Sequence, residues 1–125
     1  MLNSHSGGGS FIFVYLDAVD HIPDHVKRIA FSDSNYGYEN SLHGSKPIQW
    51  LRSSKQHHLN VLAYNDSIVI YNGKPLVSPT GRTWYRSKLI QVKLSGTFQF
   101  KYESDINLIN CSTLSNKIDI ILKIN

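Results

Sequence analysis

Cysteine, methionine and proline are scarce in this chain of 125 residues, which has one Cys, one Met and four Pro. The lone Cys111 excludes an intramolecular disulfide and completes no metal-binding pattern, so it is read as an inert, partly buried thiol. No block of five like charges occurs. Thirteen Lys and Arg against nine Asp and Glu leave a spread net charge of +4, which implies mild polyanion affinity at most. No apolar run approaches the roughly 20 residues of a membrane-spanning helix. The N-terminus also lacks the basic region of a secretory signal, which places the protein in the cytoplasm if the chain is complete at that end. No repeat or change of composition marks a second domain. With 41% hydrophobic residues the composition is globular and not disordered, and residues 1–125 read as a single domain.

What is present is concentrated at the start. Ser4, His5, Ser6, Gly7 and Gly8 have the small-x-Ser-x-small spacing of a nucleophile elbow, a serine held on a sharp strand-to-helix turn. Small residues two before and two after the serine let strand and helix approach closely, and the residue after it, here Gly7, supplies an oxyanion-hole N–H. Ser4 stands where the pattern has its leading glycine. The alternative is that residues 6–10 are a flexible Gly/Ser linker.

Phe11, Ile12, Phe13, Val14, Tyr15 and Leu16 follow, apolar at every position. A linker would lead into a polar or capped domain start, so this run favours the elbow. It is expected to be buried on both flanks, either as the helix behind an elbow or as a buried strand. Residues 26–38, 48–52 and 59–66 then read as strand, helix and strand, with Asp33 and Asp66 each just beyond a strand. The order after the elbow is helix, strand, helix, strand, which is an α/β pattern.

On Ser4-His-Ser-Gly-Gly-Gly-Ser10 and on residues 29–36, 61–66 and 79–87, the chain resembles the alpha/beta-hydrolase family, and more narrowly a bacterial branch of esterases. The resemblance covers roughly residues 4–90. It implies a sheet with flanking helices and a Ser, an acid and a His in that chain order, acting on an ester, thioester or amide with no cofactor or metal.

In that scheme Ser6 is the nucleophile and Gly7 the oxyanion donor. Two acids compete to orient the base. Asp66 lies after the second strand beyond the elbow, where the family usually places its acid, and is preferred to Asp33, which lies after the first. Either could equally be a strand-end aspartate that holds the next turn. The base is the gap in the scheme. The histidines are His5, His21, His25, His43, His57 and His58, and none follows Asp66. With Asp33 as the acid, His57 or His58 would satisfy the order. They precede an apolar strand, however, at the end opposite to the one where open α/β sheets assemble their sites. They are therefore read as a solvated lead-in, with His21 and His25 also at the surface.

Only three residues precede the elbow, and the strand-like residues 117–124 end the chain. The expectation is the C-terminal portion of an alpha/beta-hydrolase domain, truncated at both ends. Its full-length form would take a small-molecule ester or acyl substrate and no nucleic acid. This chain alone would be inactive and prone to self-association through unpaired strand edges.

Two further segments carry signals. Residues 67–74 alternate like a strand and end in Asn72-Gly73, a hairpin turn signal. Arg82, Trp84, Tyr85, Arg86 and nearby lysines support a rival reading, a small basic strand-rich module binding single-stranded nucleic acid. Their plainer reading is a helix capped by Thr83 with Arg86 and Lys88 in solvent. Trp50 is expected to anchor the core.

Overall fold

Apolar and polar residues alternate along the strands, and this sets the plane of the sheet. In β2 (Arg28–Ser32) Ile29 and Phe31 are buried while Arg28 is exposed, and in β3 (His58–Tyr64) Leu59, Val61 and Ala63 are buried while Asn60 and Tyr64 are exposed. One face of each strand is thus made for a core and the other is not. The computed structural model describes residues 1–65, 69–76, 78, 80, 82–98, 101–103, 107–110 and 117–123.

The six-stranded sheet has the order β1-β2-β3-β8-β7-β6. β1 (Leu2–His5), β2, β3 and β8 (Lys117–Lys123) are parallel, with His5 opposite Ser32, Ile29 opposite Leu59 and Leu59 opposite Ile118. β8 continues antiparallel to β7 (Asn107–Asn110), and β7 antiparallel to β6 (Lys101–Glu103). The chain is therefore α/β with a parallel sheet, as the residue pattern predicts. The strand expected over 117–124 is present as β8, and the hairpin β6–β7 had no counterpart in the sequence pattern.

Between the parallel strands run α1 (Gly9–Ala18), the short α2 (Asn40–His43) with α3 (Ser45–Ser53), and α4 (Thr83–Ser95). The strands are added in one direction, and right-handed crossovers then place all these helices on one face. The packing agrees: Phe13 of α1 stacks on Phe31 at a centroid distance of 5.1 Å. Trp50 and Leu51 of α3, and Ile90 and Leu94 of α4, join the same core. Trp50 is 2% exposed and its indole N–H donates to the carbonyl of Val26 at 2.8 Å, so it anchors the core as expected. The opposite face of the parallel strands carries no helix among the described residues.

One expectation is corrected by α1. Ile12, Phe13 and Leu16 are buried, but Phe11 is 80% and Val14 68% exposed. A helix with 3.6 residues per turn shows the sheet only one stripe, so six consecutive apolar residues cannot all be covered from one side.

A two-stranded hairpin, β4 (Ile70–Tyr71) with β5 (Lys74–Pro75), follows β3. Asn72 (φ 49°) and Gly73 (φ 74°) both adopt the left-handed conformation that a two-residue type I′ turn requires. This places the Asn72-Gly73 turn where the sequence puts it.

Candidate functional site

Ser6 lies where β1 stops and a single 3-10 turn (Ser6–Gly8) leads into α1. It is exposed, and its φ is 50°. Left-handed backbone in a non-glycine residue costs on the order of 1–3 kcal/mol and persists only where the surroundings impose it. What imposes it here is close packing behind the turn. A Cβ on Gly9 would stand 1.5 Å from the carbonyl oxygen of Ser34, so α1 can start this near the β2 loop only with glycine at that position. A Cβ on Gly8 would lie 3.9 Å from that of Ser4, which puts the two small positions of the elbow pattern face to face. Gly7 is open on its outer side.

Serine at position 4, where the pattern has glycine, is accommodated by its own hydrogen bonds. Its hydroxyl lies 2.6 Å from that of Ser34, which in turn donates to the Ser4 carbonyl at 3.2 Å. Ser34 is fully buried, so this pair ties the end of β1 to the loop after β2.

Asp33 follows Ser32, the last residue of β2, which pairs with His5 just before Ser6. Asp33 is also left-handed, with φ 48°. Its Oδ1 accepts the Thr83 hydroxyl at 2.6 Å and the Tyr64 N–H at 3.3 Å, and its own N–H donates to the Leu62 carbonyl. The carboxylate therefore braces three elements: the end of β2, the end of β3 and the start of α4. The sequence expectation that Thr83 caps its own helix is not met, because its hydroxyl is spent on Asp33; Arg82 occupies the N-cap and makes no side-chain capping bond there. Asp66, the other candidate acid, lies outside the described residues.

Beside this brace are buried polar groups that the sequence did not single out. Asn35 donates to Ser87 Oγ at 3.0 Å, and both residues are fully buried. Asn35 Oδ1 has no hydrogen-bond partner among the described residues. The only hint was composition: Ser32, Asp33, Ser34 and Asn35 form a small polar run at a strand's carboxyl end. Tyr38, nearby, donates to Asn40 Oδ1 at 2.7 Å, and burial pushes its phenol pKa up to about 12.

The histidines do not gather at Ser6. His57 is 1% exposed and not solvated: it stacks on Trp50 at 4.7 Å, its Nδ1 faces the Trp50 carbonyl, and its Nε2 lies 3.2 Å from the Asp24 carbonyl. A polar ring can be buried there because main-chain acceptors meet it. His58 opens β3 opposite Arg28, at the amino end of the sheet. His43 is also buried; its Nδ1 accepts the Glu39 N–H at 2.9 Å, which leaves Nε2 to donate to Asp17 at 2.8 Å. With the acceptor nitrogen occupied, this His–Asp pair holds α2 against α1 and has no lone pair free for a base. His5, His21 and His25 are exposed. Among the described residues no three His, Cys, Asp or Glu side chains come together as a metal site, and no helix is long and apolar enough to cross a membrane.

In the basic aromatic segment, Trp84 is 9% exposed and belongs to the core, with Lys88 Nζ 4.9 Å from its ring centroid. Arg86 donates to the Tyr38 carbonyl at 2.9 Å. Neither Trp84 nor Arg86 projects freely from α4.

No protein-family model, no curated protein and no solved structure matches this chain.

Proposed function

We propose that this chain is the nucleophile-bearing portion of a serine hydrolase of alpha/beta-hydrolase type, acting in full-length form on ester or related acyl bonds and inactive alone. The observation that supports this reading is Ser6: exposed, left-handed, between a parallel strand and a helix, with glycine enforced behind it. That geometry lifts a hydroxyl clear of the sheet, where an acyl carbon can approach it. Ser6 Oγ would attack that carbon, and the Gly7 N–H would meet the oxygen that becomes negative. Asp66 is the preferred acid; Asp33 is the alternative and ties the end of β2 to the end of β3 and the start of α4. The base is absent, because the buried histidines are committed elsewhere.

Loss of one triad member leaves catalysis several powers of ten down. The purified chain should therefore hydrolyse simple aryl esters no faster than buffer, and Ser6→Ala should change nothing. The DNA that flanks the gene tests the lineage. Downstream, in any frame, it should encode within a few tens of residues a His in a loop after the β8 segment, and upstream it should encode further strands. Unrelated genes with their own start signals on both sides would defeat the proposal. Saturable ester hydrolysis abolished by Ser6→Ala would defeat the claim of inactivity.

A further inference from the structure

We propose that a cavity in the core, walled by α1, α3 and α4 over the sheet, binds a short aliphatic carboxylate, with the chain inside and the head group on Lys93. The cavity offers about 20 Å³ to the centre of a water-sized sphere. Leu16 of α1, Phe31 of β2, Leu59 of β3 and Leu94 of α4 form its walls, so helices and sheet both enclose it.

A water needs about 10–15 Å³ of such room, and also two to four polar partners. The wall does not supply them. Tyr38 spends its hydroxyl on Asn40 Oδ1, and His43 has both ring nitrogens engaged, Nδ1 with the Glu39 N–H and Nε2 with Asp17. Both residues therefore add ring surface to the wall and no free polar atom. Space of this kind disfavours water and takes hydrocarbon.

Exposure marks the mouth. Of the wall residues only Lys93 is exposed, and Pro47 is half-buried, so the cavity meets the surface between α3 and the end of α4. Gly44, at the joint of α2 and α3, makes room there: a Cβ on it would stand 3.1 Å from Lys93 Cε. The Lys93 stem thus lies against the Gly44 backbone and keeps its ammonium at the rim. Among the described residues no carboxylate pairs with that ammonium. An apolar interior with an unpaired cation at its opening selects an amphiphile whose head is an anion. The small interior keeps the chain short. Ser6, Gly7 and Asp33 do not line the cavity, so the inference goes beyond any chemistry at Ser6 and stands without it.

Methyl NMR spectra of the whole chain, recorded as acetate, butyrate, hexanoate and hexanol are added in separate titrations, test the site. Saturable shifts are expected at the methyls of Leu16, Leu59, Ile90 and Leu94. Affinity among the carboxylates should rise by about fourfold for each methylene that enters, until the cavity is full. Lys93→Gln, at a position already in solvent, should weaken hexanoate by about two- to fivefold and leave hexanol unchanged. The absence of saturable shifts at these methyls overturns the inference. So does an affinity indifferent to chain length, or hexanoate binding that Lys93→Gln leaves intact.

Discussion

At the amino end of the parallel sheet, His57 lies flat on Trp50 with its ring nitrogens facing main-chain carbonyls, and the indole N–H of Trp50 reaches the carbonyl of Val26. At the carboxyl end, Ser6 and Asp33 each adopt left-handed backbone just past a strand, glycine is forced at position 9, and a buried amide oxygen of Asn35 has no partner among the described residues. Both ends bury polar groups, but only one is strained and incompletely bonded. Stability alone accounts for the amino end, where the indole N–H of Trp50 meets a carbonyl and the His57 ring lies among two main-chain carbonyls and the Ser53 hydroxyl. Strain concentrated at the other end is what a preorganised reactive position requires.

Substitutions can break this contrast or sharpen it. Gly9→Ala should have the largest effect, since the new methyl overlaps the Ser34 carbonyl and must push α1 or the β2 loop aside. A loss on the order of 3 kcal/mol or more is expected in chemical denaturation. A near-neutral result would mean that the elbow packing is loose. His57→Ala at the opposite end removes a stacked ring and opens a cavity beneath Trp50, while the Trp50 carbonyl keeps the Ser53 hydroxyl. The expected loss is about 2–3 kcal/mol, with unchanged accessibility of Ser6 to solvent. Ser6→Gly should be smallest and of opposite sign. It relieves left-handed strain but frees the unfolded chain, for a net gain of about 0.5–1 kcal/mol. If Ser6→Gly is destabilising, the serine conformation is not strained and the contrast between the two ends fails.

The parts of this molecule that were legible in the sequence are those with a short-range cause. The elbow spacing located the β1–α1 turn, the stretches read as strands over 26–38 and 59–66 contain β2 and β3, and Asn72-Gly73 located the hairpin turn. The parts that were not legible depend on partners distant in the chain. Nothing local to His57 shows that Trp50 and Asp24 will offer it carbonyls, so a buried ring looks like a solvated one. Thr83 resembles a helix cap until Asp33, fifty residues earlier, takes its hydroxyl. The run from Phe11 to Leu16 gave no sign of its open flank, because a uniformly apolar segment has no periodicity to read.

The strand order carries a further consequence, for how the chain assembles. β1 pairs with β2 and β2 with β3, and β6 pairs with β7 and β7 with β8 as an antiparallel set. Only the β3–β8 seam joins the two sets. The connection from Tyr64 to Lys117 is about twice as long as the one from Ser32 to His58. Doubling a loop adds only about 0.6 kcal/mol of closure entropy, and the seam it closes is the longest ladder of the sheet, from His58 opposite Lys117 to Tyr64 opposite Lys123, with α4 packed on both strands. The two blocks can therefore form locally, and the molecule becomes one cooperative body when β3 meets β8.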